Sequence, residues 1–161
     1  INTLYESNRV VDNTGPGIYH EISYAAVIRD NVVERNGFDT PGWLWGAGIQ
    51  IAASSDVEVV GNEVRGNANG IAGIQQARGD GAHGPHLLSG LNVHDNTIAV
   101  ADGRMGIVTD TGDSAVFTER NNSFDFNTYQ GADGRIYSWN GSIVDRFGWV
   151  DAGQDVNGTW E

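Results

Sequence analysis

Gly48-Ile49-Gln50-Ile51, then Val57-Glu58-Val59, then Asn62-Glu63-Val64-Arg65-Gly66-Asn67 is the stretch that decides the fold. Apolar and polar residues alternate at period two within each short piece, which is the pattern of half-buried strands. The pieces are separated by Gly, Asn, Asp and Ser, the residues of tight turns. Working outward from Asn62, Asn recurs at positions 8, 31, 96 and 122, and two residues after each anchor stands a large apolar side chain: Val10, Val33, Val64, Ile98 and Phe124. A second Asn follows at positions 13, 36, 67 and 127, and the intervals lead into Gly17-Ile18, Gly48-Ile49, Gly70-Ile71 and Gly106-Ile107. Thr3/Tyr5, Ala26/Ile28, Val57/Val59 and Leu91/Val93 supply the strand before the anchor. The anchors are spaced by 23, 31, 34 and 26 residues, so the chain is a repeat with a minimum period and insertions. Each unit is too small to bury its own apolar face, and stacking neighbours supplies the common core.

The motif Gly-Ile-x-Ile, Val-x-Val-x-x-Asn-x-Val-x-x-Asn, clearest at residues 48–67, resembles that of the right-handed parallel β-helix family, the pectate-lyase-like superfold. The resemblance covers about residues 3–127. It implies an all-β parallel solenoid of about five coils, each made of short strands, with Asn columns at the bends, where Asn tolerates left-handed backbone and can form ladders. It also implies a secreted or cell-surface bacterial protein with a carbohydrate ligand. The same scaffold carries lyases, hydrolases, epimerases and adhesins, so the fold does not choose among them.

Residues 1–130 are read as coils and 131–161 as a Trp-rich cap. The first coil lacks its Gly-Ile half, so an exposed apolar edge is expected near Ile1–Tyr5, with upstream coils or a partner covering it. In the cap, Ile143, Phe147 and Val150 have the spacing of a short amphipathic helix that Gly153 stops. The Gly153-Gln154-Asp155 tail resembles those that close other bacterial β-helix proteins.

Composition removes several function classes. Twenty-one acids against nine basic residues, all of them Arg, give a net charge of −12, which disfavours nucleic acid as a partner. There is no Cys, hence neither a disulfide scaffold nor a thiolate metal site. No apolar run approaches the ~20 residues of a membrane span. Without Lys, the lysine-based mechanism of some β-helix lyases has no base, and the clustered-Asp and His pattern of polygalacturonase-like enzymes is not matched.

Catalytic candidates are few: Glu21 and Asp110 on the outward positions of Gly-Ile strands, and His20 between them in type. Glu21 and Asp110 are expected three coils apart, about 14 Å at the rise of stacked strands, beyond the roughly 5–9.5 Å that paired-carboxylate glycoside hydrolysis uses. His20 faces inward by alternation from Ile18, which suits a structural imidazole. An Arg-based lyase with Ca²⁺ stays open through Arg78, though no cluster of carboxylates on adjacent coils would hold the ion, so no cofactor is implied.

The two insertions point to binding instead. Residues 37–47 (Gly37-Phe-Asp-Thr-Pro-Gly-Trp-Leu-Trp-Gly-Ala47) and 77–90 (with Arg78-Gly-Asp80 and His83-Gly-Pro-His86) are expected to flank the Gly-Ile sheet and wall a shallow groove. Its floor would present Tyr19, Gln50, Ala72 and Val108, with Gln75 or Gln76 near the second loop. Trp43 or Trp45 would stack on a sugar face and Arg78 would pair with a uronic carboxylate. Both indoles equally suit packing the loop onto the solenoid. Asp80, His83 and His86 could offer metal donors, but a Gly-Pro interior favours a surface loop. Three functional readings follow: a carbohydrate-binding segment, a purely structural solenoid or adhesive stalk, and part of a lyase, epimerase or hydrolase whose catalytic residues lie mostly elsewhere.

Overall fold

The structure, a computed structural model, describes residues 2–100, 102–132 and 134–161. It is a right-handed parallel β-solenoid of about five turns, with two short α-helices. Three sheets run its length. The first stacks Thr3–Glu6, Tyr24–Arg29, Ser55–Val60, Asn92–His94 and Ser123–Asp125. The second stacks Arg9–Val11, Val32–Glu34, Glu63–Arg65, Thr97–Ala99, Thr128–Gln130 and Thr159–Trp160. The third stacks Ile18–Glu21, Ala47–Ala52, Asn69–Gln75, Met105–Thr109 and Tyr137–Trp139, and ends on Ser142–Val144, which turns back antiparallel. The sheets therefore extend past residue 130, into the segment expected to be cap alone.

The core is what alternation dictates. Tyr5, Ile28, Val59, Val93 and Phe124 form one inward column. Val10, Val33, Val64, Ile98, Tyr129 and Trp160 form the next. Ile18, Ile49 and Ile71 open the third. Between the first two columns the bend is held by asparagine. Each of Asn31, Asn62, Asn96 and Asn127 accepts, on Oδ1, both the backbone N–H and the side-chain amide of the Asn one coil earlier, at 2.9–3.1 Å. These buried amides are satisfied by one another, which is why a polar column can run beside an apolar one without penalty. Asn13, Asn36 and Asn67 form a second, shorter ladder.

Two registers differ from the sequence reading. The fifth anchor is Asn127, not Asn122, so Tyr129 continues the Val64–Ile98 column and Phe124 belongs to the Val59–Val93 column. Asn122 repeats the Asn-x-aromatic spelling but bonds elsewhere, accepting Leu91 N–H and donating to the Leu88 and Val116 carbonyls. In the third sheet Met105, not Ile107, takes the place after Ile71, and Gly106 pairs with Ala72. Gly106 is glycine because a Cβ there would come within 2.3 Å of the Ser138 carbonyl oxygen, with φ at 109°. Val108 consequently lies beside Ile74 rather than in line with Tyr19 and Gln50.

At the start, Leu4 is exposed and Tyr5 half-buried on Thr3–Glu6, the edge strand of the first sheet; Ile1 lies outside the described residues. At the far end the helix Arg146–Asp151 forms, N-capped by Asp145, whose side chain accepts Gly148 N–H. Its buried residue is Trp149, while Phe147 and Val150 face solvent, the reverse of the expected face. The reason lies in the partner surface: Trp149 packs against Tyr137, Phe124 and Trp139 with ring centroids 5.1–5.5 Å apart, an aromatic slot that Phe147 does not reach.

Candidate functional site on the outer face of the third sheet

The outward side chains of the third sheet fall into two columns. Tyr19, Gln50, Ala72, Gly106 and Ser138 form one; Glu21, Ala52, Ile74 and Val108 form the other. Tyr19 and Glu21 sit at the open end. From there a polar chain runs across the edge of the sheet. Arg78 donates to Glu21 Oε1 at 3.2 Å and to Gln76 Oε1 at 2.6 Å, and Gln76 Nε2 donates to Asp110 Oδ2 at 3.1 Å. Glu21 and Asp110 are thus joined through Arg78 and Gln76 rather than facing each other across a substrate. Burial and the neighbouring Glu21 carboxylate push the Tyr19 phenol well above its ordinary value, so it acts as a hydrogen-bond donor and not as a base.

Residues 37–46 do not stand up as a wall. They fold down across the middle of the sheet. Leu44, 2% exposed, fits a slot formed by Ala47 and Ala72, with Val108 against it. Asn69 Nδ2 holds the loop down by donating to the Pro41 and Trp45 carbonyls, both at 2.7 Å, while its Oδ1 accepts Arg104 N–H. Asn69 was not singled out from sequence; the signal is an extra Asn two residues past the ladder residue Asn67, where no ladder needs one. The loop leaves Trp45 edge-on to Tyr19 at 6.4 Å and Trp43 beside Trp45 at 6.1 Å. Tyr19 and Trp43 are 39% and 38% exposed, so the three rings form a wet aromatic strip on the outer face.

Beyond Trp43 the strip opens into a cavity of about 240 Å³. Trp43, Leu44, Val108 and Ile143 give it apolar walls, and Arg104, Thr109, Ser138 and Ser142 bring polar groups to it. Sequence reading gave no role to Arg104 or to Ser142, because both reach this place only through the shifted register of the fourth coil and the returning hairpin strand.

Of the residues expected on the groove floor, Gln50 and Gln75 are buried, at 0% and 2% exposure. Gln75 is a structural amide: its Oε1 accepts Leu88 N–H and the Arg120 guanidinium, and its Nε2 donates to the Gln76 carbonyl. Gln50 lies under the loop; neither its Nε2 nor its Oε1 makes a well-formed hydrogen bond, and the Tyr19 phenol beside it feels the amide as a donor. His20 points inward, 3% exposed, with Nδ1 3.2 Å from the Tyr5 hydroxyl; burial lowers its pKa and keeps it neutral. Arg78 already pairs with Glu21, so it is not free for a ligand carboxylate.

Asp80, His83 and His86 belong to a small hairpin, Asp80–Gly81 with Gly84–Pro85, that packs on Tyr24. Tyr24 donates to the Gly84 carbonyl at 2.7 Å, and its ring meets His83 and His86 at 5.4 and 5.1 Å. Among the described residues no three His, Cys, Asp or Glu side chains converge as a metal site. Nor does any helix among them have the length and apolarity to cross a membrane. The face therefore offers aromatic surface, hydroxyls and the Arg104 guanidinium, groups that can hold a polar ligand.

The family model described as the right handed beta helix region matches residues 2–98, more than half of the chain. The chain belongs to that family, and its repeat is the coil of a parallel β-helix. Neither a curated protein nor a solved structure matches it.

Proposed function

We propose that this right-handed β-helix protein binds carbohydrate on the outer face of the third sheet, in an extracellular or cell-surface setting. The observation that carries the reading is the strip Tyr19–Trp45–Trp43, three rings in succession and partly exposed, leading into the cavity beside Trp43. Aromatic faces take the apolar faces of sugar rings, and Thr109, Ser138 and Ser142 offer hydroxyls to the rim. With Arg78 held by Glu21 and a net charge of −12, neutral or mildly acidic glycans suit the face better than polyanions.

A glycan array read with and without Ca²⁺, on the wild type and on Trp43→Ala/Trp45→Ala, tests the proposal. Binding that falls at least tenfold in the double variant supports it. No binding by the wild type, or binding unchanged by loss of both indoles, returns the chain to a purely structural stalk.

A further inference from the structure

Gln50 is an outward-facing amide in the middle of the third sheet, and it is sealed in. Ile49 and Ile51 on either side of it point into the core, so its side chain leaves the sheet on the loop side. In its column it stands between Tyr19, which touches Trp45, and Ala72, which touches Leu44. The segment Leu44–Trp45 thus closes over it, leaving it 0% exposed, with neither amide atom in a well-formed hydrogen bond and the Tyr19 hydroxyl as its polar neighbour. Buried amides that serve only the fold are satisfied, as the two Asn ladders and Gln75 are here. A buried amide without a well-formed protein bond takes its partner from outside the chain, a water or a ligand group.

The segment that closes it is built to move. Its neck is Gly37 and Gly46, whose backbones touch: a Cβ on Gly37 would fall 1.8 Å from the Gly46 carbonyl oxygen, and one on Gly46 2.1 Å from that of Gly37. The loop between them therefore begins and ends at one point, with positive φ at both ends. Inside it Trp43 and Leu44 both adopt left-handed backbone, φ 54° and 63°, a conformation that costs energy for a branched or bulky side chain. Of its large apolar side chains, Phe38 and Trp43 are exposed and only Leu44 is fully buried. Few contacts oppose release: Leu44 in its slot, the two bonds from Asn69 and the bond that Asp39 N–H donates to the Thr14 carbonyl. Segments with strained backbone and little buried surface open locally, well below the cost of global unfolding.

We infer that residues 38–45 are a lid over an occluded binding site floored by Gln50, and that the site takes a neutral, hydroxylated ring. This rests on the carbohydrate reading and narrows it. The amide presents a carbonyl acceptor and N–H donors side by side, the complement of two adjacent hydroxyls, each of which donates and accepts. Tyr19 supplies an aromatic edge beside it that stays with the sheet, while Trp45 moves with the lid. Glu21, next but one to Tyr19 on the same strand, already holds Arg78, so the site offers a ligand carboxylate no free cation. With the lid raised, Tyr19, Gln50 and Ala72 lie in one line along the sheet.

The chain has no cysteine, so single thiols report opening without interference. Alkylation rates of Ala72→Cys, under the lid, and Val64→Cys, in the core, are compared in the full chain. Both positions are 0% exposed, so the folded surface alone does not distinguish them. A thiol at 72 that reacts roughly 100-fold faster than one at 64 is expected, because local opening precedes global opening. Cellohexaose, xylohexaose and mannohexaose, with hexagalacturonate as the acidic arm, are then added to Ala72→Cys, and tryptophan fluorescence reports sugar binding independently. Slowing by a neutral hexasaccharide, lost in Ala72→Cys/Gln50→Leu, supports the site. Gln50→Leu alone should raise the urea midpoint, since it removes an unpaired buried amide.

Equal rates at 72 and 64 overturn the lid. Fluorescence binding without protection of position 72, or protection by hexagalacturonate only, overturns the Gln50 site and leaves the surface strip standing. No binding by fluorescence overturns the carbohydrate reading itself, with the lid still decided by the two rates. A lowered midpoint in Gln50→Leu shows that the amide stabilises the closed fold and sinks the inference.

Discussion

The carboxylate of Asp155 occupies the next place in the asparagine column, accepting the backbone N–H of Asn127 at 3.2 Å and its side-chain amide at 2.9 Å, the same two bonds that each Asn receives from the coil before it. Its other oxygen accepts the Tyr129 hydroxyl at 2.5 Å and the Trp149 indole N–H at 2.8 Å. An acid ends the ladder where an amide would continue it. A ladder Asn offers its own N–H₂ to an earlier carbonyl; here the second oxygen instead meets two donors from the cap, and only an acceptor-only side chain satisfies both.

Replacing Asp155 by Asn should therefore be costly although the two are isosteric. The new N–H₂ would face the buried indole N–H of Trp149 with no acceptor between them, a loss of about 1–3 kcal/mol. Asp155→Ala orphans donors on Asn127, Tyr129 and Trp149 together and should cost more, about 3–5 kcal/mol. Urea unfolding at pH 7 measures both. An Asn variant as stable as the wild type would show that the column does not require its terminal charge.

Asp155 and Glu34 should respond to acid with opposite signs. Burial holds the folded-state pKa of Asp155 above its unfolded value, so its ionised form opposes folding, and stability from this group rises as pH falls through that raised pKa. Glu34, with a side chain 6% exposed and paired with Arg65 at 2.5 Å and Arg9 at 2.8 Å, is held below the ordinary carboxylate value by Arg65 first. Its contribution is complete above the unfolded pKa and disappears as pH falls through the depressed folded one. Urea midpoints followed from pH 7 to pH 3 should show Glu34→Gln losing less on acidification than the wild type, and Asp155→Asn losing more. The same slope in all three would remove both assignments.

Most of the fold was legible because strand alternation and the Asn columns are local and periodic. What failed, failed at decoys. Asn122-Ser-Phe124 spells the anchor as well as Asn127-Thr-Tyr129 does, and only the stacking of Tyr129 on Ile98 distinguishes them. Gly106-Ile107 spells the strand entry, but Gly106 is there to admit the Ser138 backbone. The site was half legible. The insertion at 37–47 and its indoles showed where the surface departs from the repeat, yet whether such a loop walls a groove or lies across it depends on tertiary contacts: the slot for Leu44 and the amide of Asn69. The expected face of the last helix failed for a similar reason, since spacing alone does not reveal that the aromatic slot on the solenoid end fits Trp149.

Asn69→Ala isolates the tether. Its two bonds to the Pro41 and Trp45 carbonyls and the one accepted from Arg104 N–H are mostly to loop backbone, so global stability should fall by only about 1–3 kcal/mol. Hydrogen exchange of the Trp43–Trp45 amides should quicken about tenfold while the Asn-ladder amides keep their protection, in proportion to the local free energy lost. Uniform loss of protection along the chain would mean that Asn69 supports the coil and not the loop.

The C-terminal segment should be indispensable for a reason that its sequence only partly shows. Trp149 covers Phe124, Tyr137 and Trp139; Trp160 stacks on Tyr129 at 5.4 Å; and Asp155 satisfies the last ladder residue. Strands Thr159–Trp160 and Ser142–Val144 also pair with the edges of Thr128–Gln130 and Tyr137–Trp139. Deleting residues 140–161 exposes four large aromatic rings and two strand edges at once, the combination that templates edge-to-edge association. The truncated chain should aggregate on refolding, whereas Phe147→Ser, which changes only a side chain 70% exposed, should stay monomeric with stability within about 0.5 kcal/mol of wild type. Light scattering and sedimentation of the two variants decide it: a soluble, monomeric truncation with an unchanged urea midpoint would show that the solenoid closes itself without Trp149, Asp155 and Trp160.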